Sequence, residues 1–585
     1  MTAELFGPEL NDDGVTFRLW APAAKRVDLV LDTAMPMTVR DGWFRLEVPA
    51  AKPGTRYQFR IDDELLIPDP ASRFQPNDVH GASEVIDQRY DWKATSWKGR
   101  PWQETVLYEL HVGTFTPEGT YRAVIDKLDH LTATGITAIE LMPLADFPGR
   151  WNWGYDGVLP FAPDSIYGGP DDLKALIDAA HERGLMVFLD VVYNHFGPEG
   201  NYLHRIAPQF FSEQQTPWGV AIDYTRPEVR SFAIENAIYW LRDYRFDGLR
   251  LDAVHAIATA GTPHLLHDLS AAAGTLAEQT GRQIHLVLEN DDNCAALLDP
   301  SEIVPRGRYR SQWNDDYHHA WHVLLTGEQQ GYYKDYDNPG ERIARSLAGG
   351  FVYQGEPSSH RGGQPRGEPS GHLPPLAFVN FLQNHDQIGN RAKGERLSTL
   401  VPTAALEAAL AILLLSPSPP LIFMGDEWGA TDPFPFFCDF DGELADAVRN
   451  GRKAEFAEAY AQSSDDIPDP LAESTTIRAT LDWTALSQSE SAKRLSLTQT
   501  LLRTRKEHIV PILPEIARGG DARFDDGVLY VTWAAGRKRL YLLANISDRE
   551  RPRPAGLDRW DGSIWGGSPA AHLDPYSVFV AVGAR

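Results

Sequence analysis

Short runs alternating apolar and polar residues open the chain. Gly14–Trp20 (GVTFRLW), Arg26–Leu31 (RVDLVL), Gly42–Val48 (GWFRLEV) and Arg56–Ile61 (RYQFRI) are rich in β-branched and aromatic residues and are separated by turn residues. Strands this short and closely spaced predict a small immunoglobulin-like β-sandwich over residues 1–100. A proline-rich passage, residues 67–76 (IPDPASRFQP), leads out of it.

From about Glu104 the pattern changes, and apolar runs alternate with segments of helical period. The runs are Val106–Val112, Thr137–Leu144, Leu185–Tyr193, Gly248–Ala253, His285–Glu289, Ser311–Asn314, Ala377–Leu382 and Pro420–Met424. Helices are expected near Tyr121–Thr134, Pro170–Arg183, Glu228–Tyr244 and His264–Glu278 between the earlier runs. Leu185–Tyr193 (LMVFLDVVY) is almost wholly apolar, as a parallel strand buried on both faces must be. Eight β/α units predict a closed (β/α)8 TIM barrel. Ser311–Asn314 (SQWN), short and polar, departs furthest from that pattern. Residues 349–375, rich in glycine and proline, show no hydrophobic period and are expected to form a long loop, either a lid or a disordered segment. The tail returns to strands at Gly527–Trp533 and Arg539–Ile546. The division expected is a sandwich at 1–100, a barrel at 101–490 with a short insertion at 194–226, and an all-β domain at 491–585.

A length of 585 residues exceeds one core and fits this multidomain division. The formal charge of −26 repels phosphate backbones, which argues against a nucleic-acid partner. The most apolar stretch, residues 408–424, is broken by Pro417, Pro419 and Pro420, so no membrane span is expected. Two cysteines, Cys294 and Cys438, and an acidic, polar start without a leader pattern point to a reducing, cytoplasmic setting.

Barrel enzymes carry their chemistry at the C-terminal ends of the strands. Here those ends hold Asp190, Asn194 and His195; Arg250, Asp252 and His255; Glu289 to Asp292; Asn384, His385 and Asp386; and Asp426 with Glu427. Arg250 and Asp252 are two residues apart, so they face the same side of their strand, and Leu249 and Leu251 face the other. A charged pair turned into a barrel is costly unless it is closely paired or functional. An internal ion pair would account for these two alone, but Glu289 and Asp386 at neighbouring strand ends favour function. Two carboxylates flanking a bond suit glycoside hydrolysis. Asp252, kept ionised by Arg250, suits the nucleophile; Glu289 suits the proton donor.

Asp190–His195 (DVVYNH), Gly248–Asp252 (GLRLD), Glu289 and Asn384–Asp386 (NHD) resemble, in order, the four signature regions of the α-amylase superfamily. The resemblance implies that Asp252 is the nucleophile of a retaining reaction, Glu289 the acid/base and Asp386 the transition-state-stabilising carboxylate. It also implies that Arg250 holds the nucleophile, that His195 and His385 contact glucose hydroxyls, that Tyr155 stacks on that glucose, and that His255 faces the leaving group. The N-terminal sandwich is similar to that of glycogen-branching and debranching members. Residues 288–293 (LENDDN) and 384–392 (NHDQIGNRA) look most like the branch that cuts malto-oligosyltrehalose, so malto-oligosyltrehalose and maltodextrins are the implied substrates. Many members hold structural calcium in a larger domain after the third strand. Residues 194–226 are short for that, so no metal or other cofactor is expected. Trp151, Trp153 and Trp218 sit in loops on this face, as sugar platforms or as loop anchors. Two alternatives stand: a branching transglycosylase of the same fold, and a non-catalytic glycogen-binding protein.

Overall fold

Eight short parallel strands close on themselves in the middle of the chain. In this computed structural model they are β1 (Leu107–Leu110), β2 (Ala138–Leu141), β3 (Met186–Val191), β4 (Gly248–Leu251), β5 (His285–Leu288), β6 (Ser311–Trp313), β7 (Phe378–Phe381) and β8 (Pro420–Phe423). The structure describes residues 5–216, 218–257, 264–299, 309–457, 467–555 and 560–584. Each run expected from the sequence supplies one strand, the polar sixth run included.

Side-chain alternation divides the barrel interior into two levels. Leu107, Ala138, Phe188, Val287, Val379 and Leu421 form a dry floor with Trp313 and Phe381. Trp102, just before β1, seals it from below and donates from Nε1 to Leu376 O (2.8 Å). Two residues further along, the same faces carry Glu109, Glu140, Asp190, Arg250 and Glu289. Gly248 is required here: a Cβ would stand 2.2 Å from the Phe188 ring.

Before the barrel, two antiparallel sheets form a sandwich. One is ordered Glu9–Asn11, Gly14–Trp20, Trp43–Val48, Thr38–Arg40. The other is ordered Ala34–Pro36, Val27–Val30, Arg56–Ile61, Leu65–Ile67. Phe17, Leu29, Phe44, Tyr57 and Phe59 fill the space between them. Phe6 fixes the sandwich to the barrel helix Pro227–Arg242, donating its N–H to Glu235 Oε2 (3.0 Å) and stacking edge-on to Phe232.

After β8 come the helices Gly442–Glu455, Glu473–Ala479 and Ser489–Thr504, the last packing on the barrel with Thr498 Oγ1 donating to Glu427 O (2.9 Å). A five-stranded sheet follows: Asp521–Asp525, Val528–Ala535, Lys538–Asn545, Val578–Ala584 and Ser563–Trp565. Among the described residues no helix is long and apolar enough to cross a membrane, and both cysteines are free thiols.

The segment 349–375 is held by apolar packing near its ends, where Phe351, Val352, Tyr353 and Leu373 are buried, and by charge between them. It forms a small hairpin, Glu356–Pro357 with Pro365–Arg366. Arg366 is buried and pairs with Asp316 (3.0 Å) and Asp291 (2.8 Å). Arg361 pairs with Asp291 and with Asp292 (2.7 Å), and Ser358 Oγ donates to Asp335 (2.5 Å).

Candidate active site

Arg250 is the hub of the upper level. From the end of β4 its Nη1 meets Asp190 Oδ2 at 2.6 Å and Asp252 Oδ1 at 2.9 Å, and its Nη2 lies 3.6 Å from Glu289 Oε2. The guanidinium rests 4.1 Å above the Trp313 ring. A planar fork with several fixed donors can serve three acids at once, which a lysine cannot. Tyr155 donates its hydroxyl to Asp190 (2.6 Å). Asn194 donates to Asp252 Oδ2 (3.1 Å), and its own oxygen takes His195 Nδ1 at 2.6 Å.

The residue after the nucleophile candidate is strained. Ala253 has φ 39° and ψ 48°, a left-handed backbone that a residue with a Cβ adopts at a cost. The turn aims the Ala253 N–H at Glu289 Oε2 (2.5 Å), fixing one oxygen of that carboxyl.

The carboxyls stand in different electrostatic surroundings. Burial pushes the Glu289 pKa well up, Arg250 pulls against it, and Asp252 adds to the rise. Asp190 is buried and pushed up to about 6. Burial also raises Asp386, against the pull of His385 and Arg250; Asn390 Nδ2 donates to its Oδ1 (2.7 Å). Burial pulls the His385 pKa down, but Glu109, 2.5 Å from its Nδ1, outweighs that and leaves it raised. The Tyr155 ring stacks on His385, with centroids 5.1 Å apart.

On the outer rim Trp218, 46 % exposed, stacks over His195 and meets His255 edge-on. His255 Nδ1 accepts the Asp291 N–H (3.3 Å). Thus Asp252, Glu289, Arg250, Tyr155, His195, His255, His385 and Trp218 are joined by direct contacts. Asp386 joins Glu289 across a cavity of about 160 Å³ that Asp315, His319, Tyr332 and His360 also line. Trp151 and Trp153, by contrast, are buried anchors: their indole N–H groups donate to Cys438 O (3.1 Å) and Pro435 O (3.3 Å).

Several participants were not singled out from the sequence. Asp315 follows β6, and burial and the neighbouring Asp291 and Asp386 push it up to about 7. Trp313 lies within the polar run SQWN. Glu109 and Glu140 stand in strands that read as apolar. Glu140 is fully buried, and neither carboxyl oxygen has a hydrogen-bond partner. Their shared signal is a lone acid on the lumen-facing register of a barrel strand. Asn194 is committed to Asp252 and His195. Among the described residues no group of three or more His, Cys, Asp or Glu side chains is arranged to hold a metal.

A buried carboxyl with a raised pKa beside a second carboxyl gripped by arginine is the arrangement that glycosidic cleavage uses. Fold and site together define a glycoside hydrolase of the α-amylase type. Residues 71–218 match the alpha amylase catalytic domain, and residues 5–71 match carbohydrate-binding module 48, the isoamylase N-terminal domain. The malto-oligosyltrehalose trehalohydrolase of Deinococcus radiodurans is 44% identical over 92% of this chain and 88% of its own; that of Saccharolobus solfataricus is 41% identical over 86% and 87%. A crystal structure of a Salmonella typhimurium protein assigned to the alpha amylases superposes with a TM-score of 0.94 at 45% identity, covering 99% of this chain and 100% of that one. The chain belongs to the malto-oligosyltrehalose trehalohydrolase family. A branching enzyme of Rubrobacter xylanophilus is 36% identical, over only 41% of this chain and 38% of its own.

Proposed function

We propose that the protein hydrolyses the α-1,4 bond between a maltodextrin and its terminal trehalose, releasing trehalose with retention of configuration. One observation carries the chemistry: Arg250 touches Asp252 and lies within reach of Glu289, while burial raises the Glu289 pKa well above the usual carboxylate range. In the first step an Asp252 oxygen bonds to the anomeric carbon. The glycosidic bond breaks, its electron pair stays on the leaving oxygen, and that oxygen takes the Glu289 proton. In the second, Glu289 takes a proton from water, and the water oxygen displaces Asp252 from the anomeric carbon. Asp386, with His385 and His195, receives the hydroxyls of the glucose being cleaved, and Tyr155 packs on its ring.

The substrate assignment rests on the names of the relatives that match along nearly the whole chain. It is supported by the cavity beside Glu289. The hairpin side chains Ser358, His360 and Arg361 wall that cavity, so it suits a short leaving group better than a continuing chain. The likeness to a branching enzyme stops at less than half the chain, which favours water over a sugar hydroxyl as acceptor. The two free thiols suit a reducing compartment, the cytoplasm.

The test is product analysis on maltopentaosyl-trehalose, maltohexaose and amylose. Free trehalose from the first, with little cleavage of the plain maltodextrins, is expected. Comparable cleavage of all three, or new branches in amylose, would sink the assignment.

A further inference from the structure

Away from the active site, a second cleft lies between the barrel and the C-terminal sheet. Helix Pro339–Gly349 packs against the edge strand Asp521–Asp525 and its neighbour Val528–Ala535. Trp533 Nε1 donates to Leu347 O (3.1 Å). The Phe524 ring covers Gly340 so closely that a Cβ there would stand 2.1 Å away. Beside this tight seam a cavity of about 610 Å³ stays open, a size usual for small-molecule sites.

Its charge runs against that of the rest of the protein. Carboxylates outnumber cations by 81 to 55, so arginines here find acids easily. Yet Arg345, Arg518, Arg523 and Arg539 all line this cavity. Arg345 pairs with Glu356. Arg518, Arg523 and Arg539 have no carboxylate partner among the described residues, although Glu341 and Asp521 line the same space. Arg539 Nε is buried with no hydrogen-bond partner, which costs free energy unless something fills the role. Arg523 stands directly across the strands from Tyr530, and Arg539 directly across from Ala534. Burial raises the Tyr530 pKa, and both Arg539 and Arg523 pull against it, so the two cations address one patch of the sheet.

We propose that this cleft binds a small phosphate-type oxyanion, with Arg518, Arg523 and Arg539 donating to its oxygens. Planar guanidinium forks match a tetrahedral oxyanion. A cavity of about 610 Å³ is larger than a bare phosphate ion needs, and Thr532, Gly519 and Gly520 also line it. The source is therefore either free phosphate or a sugar phosphate.

Calorimetric titration of the full chain, at constant ionic strength in chloride, tests this with inorganic phosphate, glucose 6-phosphate and glucose. Saturable binding of at least one anion is expected, weakened roughly tenfold or more in Arg523→Gln/Arg539→Gln. Arg518→Gln, on an exposed loop, guards against a folding defect in the double variant and should weaken binding severalfold. Tighter binding of glucose 6-phosphate than of phosphate assigns the site to a phosphate ester; equal binding assigns it to the free anion. No saturable binding of either anion, or the same affinity in all three proteins, would overturn the proposal. So would glucose binding that the substitutions weaken equally.

Discussion

Arg250→Met keeps an apolar chain of similar reach and removes the guanidinium, with its charge, its hydrogen bonds and its contact on Trp313. Its effect on stability can be worked from Asp190. That carboxyl is buried, touches Arg250 at 2.6 Å, and has its pKa pushed up to about 6. A carboxyl with a raised folded pKa costs stability as pH climbs from its unfolded value, about 3.9, to its folded value, and nothing further beyond. Without Arg250, burial loses its main opponent and the folded value rises further. At pH 5 both proteins hold Asp190 protonated, so it contributes no difference between them. Above pH 6 the variant loses up to about 1.4 kcal/mol per pH unit relative to the parent, until its own folded value is passed. The lost hydrogen bonds add a pH-independent part. Urea unfolding of the barrel at pH 5 and pH 8, followed by tryptophan fluorescence, reads the difference. Adding Asp190→Asn should remove the pH-dependent part and leave the rest. A deficit equal at both pH values, or one that Asp190→Asn leaves unchanged, would refute the reasoning.

Four further outcomes follow from the site. Asp252→Ala should lower kcat on the order of 10³-fold or more, and activity within tenfold of the parent would mean another residue attacks. Glu289→Gln should cost a similar factor on poor leaving groups and far less on a glycosyl fluoride. The parent's kcat/KM should fall as pH rises through the raised Glu289 pKa, and the variant's residual rate should lack that alkaline limb. Glu140 is held protonated chiefly by burial, with Glu109 and Asp190 adding to it; by the same sign argument Glu140→Gln should stabilise the protein more at pH 8 than at pH 5. Thermal scans showing no pH trend would show that Glu140 has a charged partner. Ala253→Gly should keep activity and gain up to about 1 kcal/mol by relieving the left-handed backbone, whereas Ala253→Val should lose both stability and rate. Equal stability for the two variants would argue against strain at this turn.

The barrel was legible because parallel strands buried on both faces read as continuous apolar runs, and because polar residues gather at the same end of five of the eight runs. Arg250 and Asp252 declared themselves by their two-residue spacing. The sixth strand was hardest to read: Ser311 and Gln312 are polar yet buried, with Gln312 Nε2 donating to Asn290 O. Glu109, Glu140 and Asp315 were hidden for a related reason. A single acid in an apolar strand, or at a helix start, carries no period of its own, and only closure of the barrel gathers such residues into one site. The hairpin within 349–375 escaped because its anchors are Arg361 and Arg366 reaching to Asp291, Asp292 and Asp316. Ion pairs between distant segments leave no hydrophobic pattern.

The central claim is that Asp252 carries the sugar between the two steps. Incubating Glu289→Gln with a fluorinated maltosyl fluoride, followed by quenching, digestion and mass spectrometry, tests it most directly. Fluoride leaves without a proton, and loss of the base slows the second step, so the glycosyl-enzyme accumulates. The account predicts the added glycosyl mass on the peptide containing Asp252, at that residue. A label on Asp386 or Asp190, or turnover of the fluoride with no labelled peptide, would contradict it.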